Sequence, residues 1–364
     1  MNKRLLAVLL SVASGLSLGV ANAQSMNSGP GGINFDIAAK VDPASKNFRT
    51  KDGVLTIAIV THTAGNGFFN PSYVGATAAA NEFSKSGIPV KLLRLGSASA
   101  SDDIPAELAI LRQVIADPKL DGLAMTTPQV GAYKDIVNKA FELGIPVATF
   151  NSFDPSLPRR SQISHTGQDA SAAAIAGEAI VGDLVKRGVK SGTIVMLNDT
   201  TAGNQEVNNR IKFAAQAARD AIKEAGLSGV KVDDGQGLGV QVTNGKVDDI
   251  INVLQSTPNV VGAFGPNGAI TPDLGKAIGT LKLNGKLSAF GFDLGPAQLK
   301  AIEDGALTGS LGQQPFIQGY WPIKQIVLQI DRGVSAANVD TRAELVTKAN
   351  LASFKKYVQT RFTN

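Results

Sequence analysis

Apolar residues along this chain fall into short unbroken runs separated by longer stretches of helical period, an alternation that begins at Val54. Runs suited to strands buried on both faces occur at 54–60, 90–95, 122–125, 146–150 and 162–164, and again at 193–197, 230–232, 260–264, 287–292 and 307–311. Between most of them the period changes. Ile104, Leu108, Leu111 and Ile115 make one apolar stripe, and Tyr133, Ile136, Val137, Ala140 and Phe141 make another. Each stripe needs a second apolar surface to cover, here the face of a sheet. The string GIPV occurs at 87–90 and 144–147, each time closing a helical pattern and opening a strand. Its Gly supplies a left-handed turn, and Pro is tolerated where a strand starts.

Repeated strand–helix–strand units give doubly wound parallel sheets, and roughly ten strands are too many for one typical sheet. The expected fold class is α/β, with two doubly wound parallel-sheet lobes. The first holds the strands up to about Thr166 and the second those from about Thr193 to Leu311. A helical stripe, Phe316, Tyr320, Ile323, Val327 and Ile330, follows the last strand.

Residues before Val54 read differently. Lys3 and Arg4 precede a mostly apolar stretch at 5–20, and Ala21-Asn22-Ala23 has the small-x-small form of a signal-peptidase site. Residues 1–23 are therefore expected to be a signal peptide cleaved after Ala23. A membrane anchor needs ~20 unbroken apolar residues, and this stretch is interrupted by Gly and Ser. The mature protein is expected to be soluble outside the cytoplasmic membrane, with 24–53 as a polar leader. The GLSLG at 15–19 matches a serine-hydrolase pattern but lies inside the signal.

Composition narrows the chemistry. With no Cys there is no disulfide, thiolate nucleophile or Fe–S cluster, and with two His a conventional zinc site is not expected. The formal charge of +5 is spread without Lys/Arg blocks, so no nucleic-acid partner is expected. Walker A, G-x-G-x-x-G, H-E-x-x-H and calcium-loop patterns are missing from the mature sequence. Asp102-Asp103 and Asp233-Asp234 read as capping or solvated acids, His165 as structural, Trp321 as packing, and the Gly-rich stretch 235–245 as a flexible connection.

In open α/β sheets ligands sit beyond the carboxyl ends of the strands. There the sequence offers Thr61, His62 and Asn66, then Thr126 and Thr127, then Asn151 and Ser152, and in the second half Asn198, Asn267, Asp293 and Gln313. Amides present donors and acceptors together, as a polyhydroxyl ligand requires. Phe68 and Phe69 offer flat apolar faces for the C–H side of a sugar ring. Any one of these residues alone reads more readily as a turn or helix cap than as a ligand contact. The series points to a polar ligand held without covalent chemistry or cofactor.

Together with GNGFFNPSYVGA at 65–76, GIPVATFNS at 144–152, HTGQD at 165–169, GFD at 291–293 and GQQPFIQGY at 312–320, these features resemble the type I periplasmic binding proteins of sugar ABC importers, in particular the ribose-binding-like group. The resemblance implies a three-strand hinge. Residues 54–166 plus 313–339 would build the N-terminal lobe, and 167–312 plus 340–364 the C-terminal lobe and tail. It also implies that Asn66 bonds the sugar, that Phe68 and Phe69 cover its ring, and that Thr126, Asn151 and Ser152 contribute from the first lobe. Arg210, Asn267, Asp293 and the hinge residue Gln313 would contribute from the second. One departure stands out: ribose-type proteins follow the fourth strand with an Asp-Arg pair, where this chain has Asn151-Ser152. Ribose itself is thus not implied. The expected role is capture of a neutral pentose, related aldose or polyol and its delivery to permease subunits, by a monomeric protein that is not an enzyme. Alternatives on the same fold are a sensor presenting its ligand to a chemoreceptor or kinase, and a LacI-type regulator, which would need an N-terminal DNA-binding helix pair. A secreted hydrolase is a further alternative.

Overall fold

The strand runs at Leu55–Thr61 (β1), Val90–Gly96 (β2), Leu120–Met125 (β3), Val147–Phe150 (β4) and Ser164–Gly167 (β5) form a six-stranded sheet with Val339–Asp340 (β12), in the order β12-β5-β4-β3-β1-β2. This computed structural model describes residues 53–65, 67–99, 101–158, 162–199 and 203–355. The expected signal peptide, all but the last residue of the leader, and Asn66 lie outside the described residues. The second sheet is built from Ser191–Asp199 (β6), Gly229–Asp233 (β7), Val260–Gly265 (β9), Ser288–Phe292 (β10) and Gly309–Gly312 (β11). Val240–Val242 (β8) pairs with β6, and Glu344–Thr347 (β13) closes the far edge antiparallel to β11. The other pairings are parallel, so the chain has the expected fold class, two parallel-sheet α/β lobes.

Each sheet is covered on both faces, as its unbroken apolar strands require. Successive residues of β1 show the period of two: Ala58 and Val60 join one core with the helices Ile104–Ile115 and Lys134–Glu142, while Ile57 and Ile59 join another with the helices Asn70–Lys85 and Pro315–Arg332. In chain order the helices are α1 (Asn70–Lys85), α2 (Ile104–Ile115), α3 (Lys134–Glu142), α4 (Ala174–Lys186), α5 (Gln205–Glu224), α6 (Val247–Ser256), α7 (Ile270–Thr280), α8 (Pro296–Glu303) and α9 (Pro315–Arg332). The second sheet is sandwiched the same way. Ile194 and Met196 pack with residues of α4 and α5, and Val195 and Leu197 with residues of α6, α7 and α8.

Where α1 crosses α9 the backbones touch. A Cβ at Gly75 would collide with the Phe316 carbonyl, and one at Gly319 with the Ser72 carbonyl. The GIPV repeats do what their sequence suggests: Gly87 and Gly144 sit at φ of 87° and 72° just past their helices, and each strand begins at the Val.

Two readings change. The fifth strand begins where the apolar run 162–164 ends, because β5 buries Ser164, His165 and Thr166 rather than aliphatic side chains. His165 is held through Nδ1 by Thr149 Oγ1 at 2.9 Å, and burial pushes its pKa down to about 3, so it is neutral. The stretch 235–245 is more than a flexible connection, since it contains a 3-10 turn at Gly235–Gly237 and the strand β8.

Candidate ligand-binding cleft

The chain passes between the sheets after β5, after β11 and between β12 and β13, and the carboxyl ends of both sheets open onto the cleft between them. The cleft encloses about 490 Å³ of empty space, part of it open to solvent. Its walls meet directly. Asn204 Nδ2 donates to Asp102 Oδ2 at 2.9 Å, Asn244 Nδ2 to Ser101 Oγ at 2.7 Å, and the Gln205 N–H to the Pro128 carbonyl at 2.9 Å.

The second-lobe wall centres on Arg210, which projects from α5 and is 3% exposed. Its guanidinium lies over the Phe292 ring, 4.1 Å from the centroid, and donates to Gln313 Oε1 at 3.1 Å and to the Pro266 carbonyl at 3.3 Å. Arg210 Nε has no protein partner, although it is buried. Glu206, one turn earlier on α5, lies 3.9 Å from Arg210, and its Oε1 accepts no hydrogen bond. Asp293 lies just past β10, in the left-handed region at φ 75°. It accepts from the Gln313 amide, and its carboxyl is pushed up to about 6 by burial, against the opposing pull of Arg210, Gln313 and the Gly268 N–H.

Asn267 caps a helix and lines the cavity at once. Its Oδ1 accepts from the Ala269 and Ile270 N–H groups at the start of α7, at 3.1 and 2.8 Å, while its Nδ2 lies 3.4 Å from Asp199 Oδ2 on the cavity wall. Asn204 divides its amide likewise, capping α5 through Oδ1 and reaching Asp102 through Nδ2.

On the first lobe, Phe68 and Phe69 meet edge to face with centroids 5.0 Å apart, and Phe69 also packs on Phe150. Both rings line the cavity, with Phe69 2% exposed and Phe68 half-buried. Asn151 follows β4 at φ 63°, a conformation Asn tolerates better than most residues. It donates to Gln318 at 3.2 Å and to Gln313 at 3.4 Å. His62 is buried, with Nδ1 2.9 Å from Thr126 Oγ1 and Nε2 3.3 Å from Asp102 Oδ1.

The structure thus gathers Phe68, Phe69, Asn151, Arg210, Asn267, Asp293 and Gln313 on one cavity. Thr126 and Ser152 are not on its wall. The Thr126 hydroxyl is spent on Glu107 and His62, and Ser152 accepts from the Thr127 N–H behind the wall. Asn198 likewise turns away, donating to Asn208 and the Leu238 carbonyl. Sequence reasoning missed Asp102, Asp199, Asn204, Glu206 and Asn244. The strand-end rule would have found Asp102, which follows β2, had it been applied to that strand. Asp199 was missed because β6 runs two residues beyond its apolar stretch.

Residues 57–333 match the family described as "Periplasmic binding protein domain". A xylose/arabinose-binding protein, XylF, of Sulfolobus acidocaldarius is 27% identical over 245 residues. That match covers 64% of this chain and 58% of the relative, so this chain spans less than two thirds of the relative's length. Among solved structures, a carbohydrate transporter solute-binding protein of Agrobacterium radiobacter in complex with D-arabinose superposes with a TM-score of 0.68 at 23% identity, covering 86% of this chain and 100% of the other. A solute-binding protein of Agrobacterium vitis bound to α-D-tagatopyranose gives 0.66 at 16% identity, covering 84% and 98%. With the family matched over most of its length, this chain belongs to the periplasmic binding protein domain family.

Proposed function

We propose that this protein is a periplasmic solute-binding protein that captures a neutral monosaccharide, a pentose or a related aldose or polyol, and delivers it to the permease of an ABC importer. The observation that carries the reading is the Arg210–Gln313–Asp293 chain, buried on one side of an interlobe cavity and facing the Phe68 and Phe69 rings. Directional charged contacts on one side and flat apolar faces on the other are what a sugar ring with polar edges and C–H faces needs. The sugars printed for the relatives support the same class. Contacts from both walls are complete only when the lobes are together, so ligand shifts a hinge equilibrium toward the closed form. The protein acts as a carrier, working as a monomer, and no bond is made or broken.

A thermal-shift screen over aldopentoses, aldohexoses and their alditols tests the reading. A ligand at 100 times its Kd adds about 2.7 kcal/mol, which raises the melting temperature by several degrees. No shift with any of these sugars would overturn the proposal.

The cleft also predicts a pH dependence. Burial raises the Asp293 carboxyl to about 6, whereas a ligand hydroxyl donating to it favours the ionised form. Binding below that pH therefore releases a proton. The Asp293 contribution to affinity should be level above pH 7, and affinity should fall by up to about tenfold per unit below pH 6. Titration calorimetry at pH 5, 6 and 7, in two buffers of different ionisation enthalpy, measures both quantities; a constant affinity across that range would contradict this role for Asp293.

A further inference from the structure

Asn151 and Ser152 bring no charge to the place where ribose-type proteins carry an Asp-Arg pair, and the amide of Asn151 is already committed to Gln318 and Gln313. Among the described residues lining the first-lobe wall, the ionisable ones are His62 and Asp102. We propose that Asp102, positioned by His62, is the first-lobe ionised acceptor for a ligand hydroxyl and hence a specificity-determining residue of this cleft. The inference rests on the monosaccharide reading given above.

The adjacent acids have separate tasks. Asp103 caps α2, accepting from the Ala106 N–H at 3.1 Å, and this fixes the backbone from which Asp102 projects into the cleft. Asp102 Oδ1 faces His62 Nε2 and Oδ2 accepts from Asn204, so two of about four lone-pair sites are used and the others remain for a ligand.

Hydrogen counting shows why His62 holds Asp102 as an acceptor. Thr126 has one hydroxyl proton and lies 2.6 Å from Glu107 Oε1 and 2.9 Å from His62 Nδ1, while accepting from the His62 N–H. While Glu107 and His62 share one proton, an ionised Glu107 takes the Thr126 hydroxyl hydrogen, Thr126 accepts from Nδ1–H, and the imidazole is cationic. With Glu107 protonated, Glu107 donates to Thr126, which donates onward to Nδ1 and leaves the imidazole neutral. In both arrangements Nε2 carries a hydrogen directed at Asp102. Tyr133 donates to the second Glu107 oxygen at 2.6 Å in either case.

The charges around the pair agree. Burial pushes Glu107 up to about 7, against the pull of His62, Thr126 and Tyr133. Burial by itself would lower His62, but Asp102 and then Glu107 outweigh it together with the opposing Arg210, and His62 is raised. Asp102 is likewise exposed to a burial penalty, yet His62, Asn204 and Arg210 bring it below the usual carboxylate range, so it is ionised at neutral pH. When the proton shared by Glu107 and His62 is lost at alkaline pH, Thr126 keeps donating to Glu107. Nε2 then turns a lone pair toward Asp102, and the support fails.

The test is titration calorimetry of wild type, Asp102→Asn and His62→Gln with D-xylose, D-arabinose, D-glucose and D-galactose, and with monodeoxy analogues of whichever sugar wild type binds. A hydrogen bond to a charged group is worth about 1.5–3 kcal/mol, so Asp102→Asn should weaken binding roughly 10- to 100-fold. Removing one particular sugar hydroxyl should cost wild type a similar factor and cost Asp102→Asn little more, which a merely structural role would not produce. Wild-type affinity should fall at alkaline pH, where binding takes up one proton, a limb that His62→Gln lacks. Should Asp102→Asn not fold, the deoxy series on Asp102→Ser replaces it. Affinity within twofold of wild type, or equal deoxy losses at every position in both proteins, would overturn the assignment of Asp102. Wild type binding none of the aldopentoses, aldohexoses and alditols of the thermal-shift screen would instead overturn the monosaccharide reading.

Discussion

Replacing Asp293 with Ala should abolish sugar binding, a loss of at least about 100-fold, while leaving the fold intact. The carboxylate is the negative end of the Arg210–Gln313–Asp293 chain and accepts from the Gln313 amide, which also accepts from Arg210. Two hydroxyls donating to a buried carboxylate, at about 1.5–3 kcal/mol each, account for that factor. Loss of Asp293 also frees the Gln313 amide and removes the charge that Arg210 faces across it. The fold should survive because the carboxyl is already costly where it stands, as its rise to about 6 by burial shows. Arg210 keeps Phe292, the Pro266 carbonyl and Glu206 as neighbours. Circular dichroism melts should place the variant within a few degrees of wild type, and calorimetry should detect no saturable heat. An affinity within fivefold of wild type would mean that the sugar lies elsewhere.

Gly75→Ala and Gly319→Ala should each destabilise the first lobe by about 3–5 kcal/mol, at the upper end of overpacking effects. The added methyl at Gly75 meets the Phe316 carbonyl oxygen and carbon and the Tyr320 nitrogen, and the one at Gly319 meets three Ser72 atoms. All but the Ser72 Cα are atoms of the peptide units of the facing helix, and none is the movable end of a side chain, so relief requires α1 and α9 to separate. That separation would open the core containing Ile57, Ile59, Ile323 and Ile326. Gly182→Ala on α4 is the control, since a Cβ there meets nothing within 4 Å. It should stabilise by about 0.4–1 kcal/mol, through helix propensity and a less flexible unfolded chain. In thermal melts the first two should lose roughly 10 °C and the third should gain slightly. Melting of Gly75→Ala within 2 °C of wild type would show that the helices can part cheaply.

Fold class was legible because the parallel strands are buried on both faces and therefore written as apolar runs, with Gly87 and Gly144 marking the turns into β2 and β4. β5 was displaced in the reading because the side chains it buries, Ser164, His165 and Thr166, are polar, and a hydrophobic pattern cannot register them. Much of the cleft followed from the strand-end rule, since Asn151, Asn267, Asp293 and Gln313 all line it. Thr126 obeyed the same rule yet lies one layer back, because Glu107 on α2 takes its hydroxyl, and no spacing in the sequence announces that partner. Asp102 failed in the opposite direction. Two adjacent acids before a helix look like a doubled cap, but a helix start has one N-cap position, which Asp103 fills. Asn204 and Asn267 explain why capping and ligand contact are hard to separate in sequence: one amide has two ends, and these residues turn one to the helix and one to the cleft.

The most direct measurement is titration calorimetry at pH 7 of wild type and Asp293→Ala, side by side, with the sugars that shift the wild-type melt. The account predicts one sugar bound per wild-type chain, and no saturable heat from the variant. Absence of saturable heat from wild type with every aldopentose and aldohexose, or equal binding by the two proteins, would contradict it.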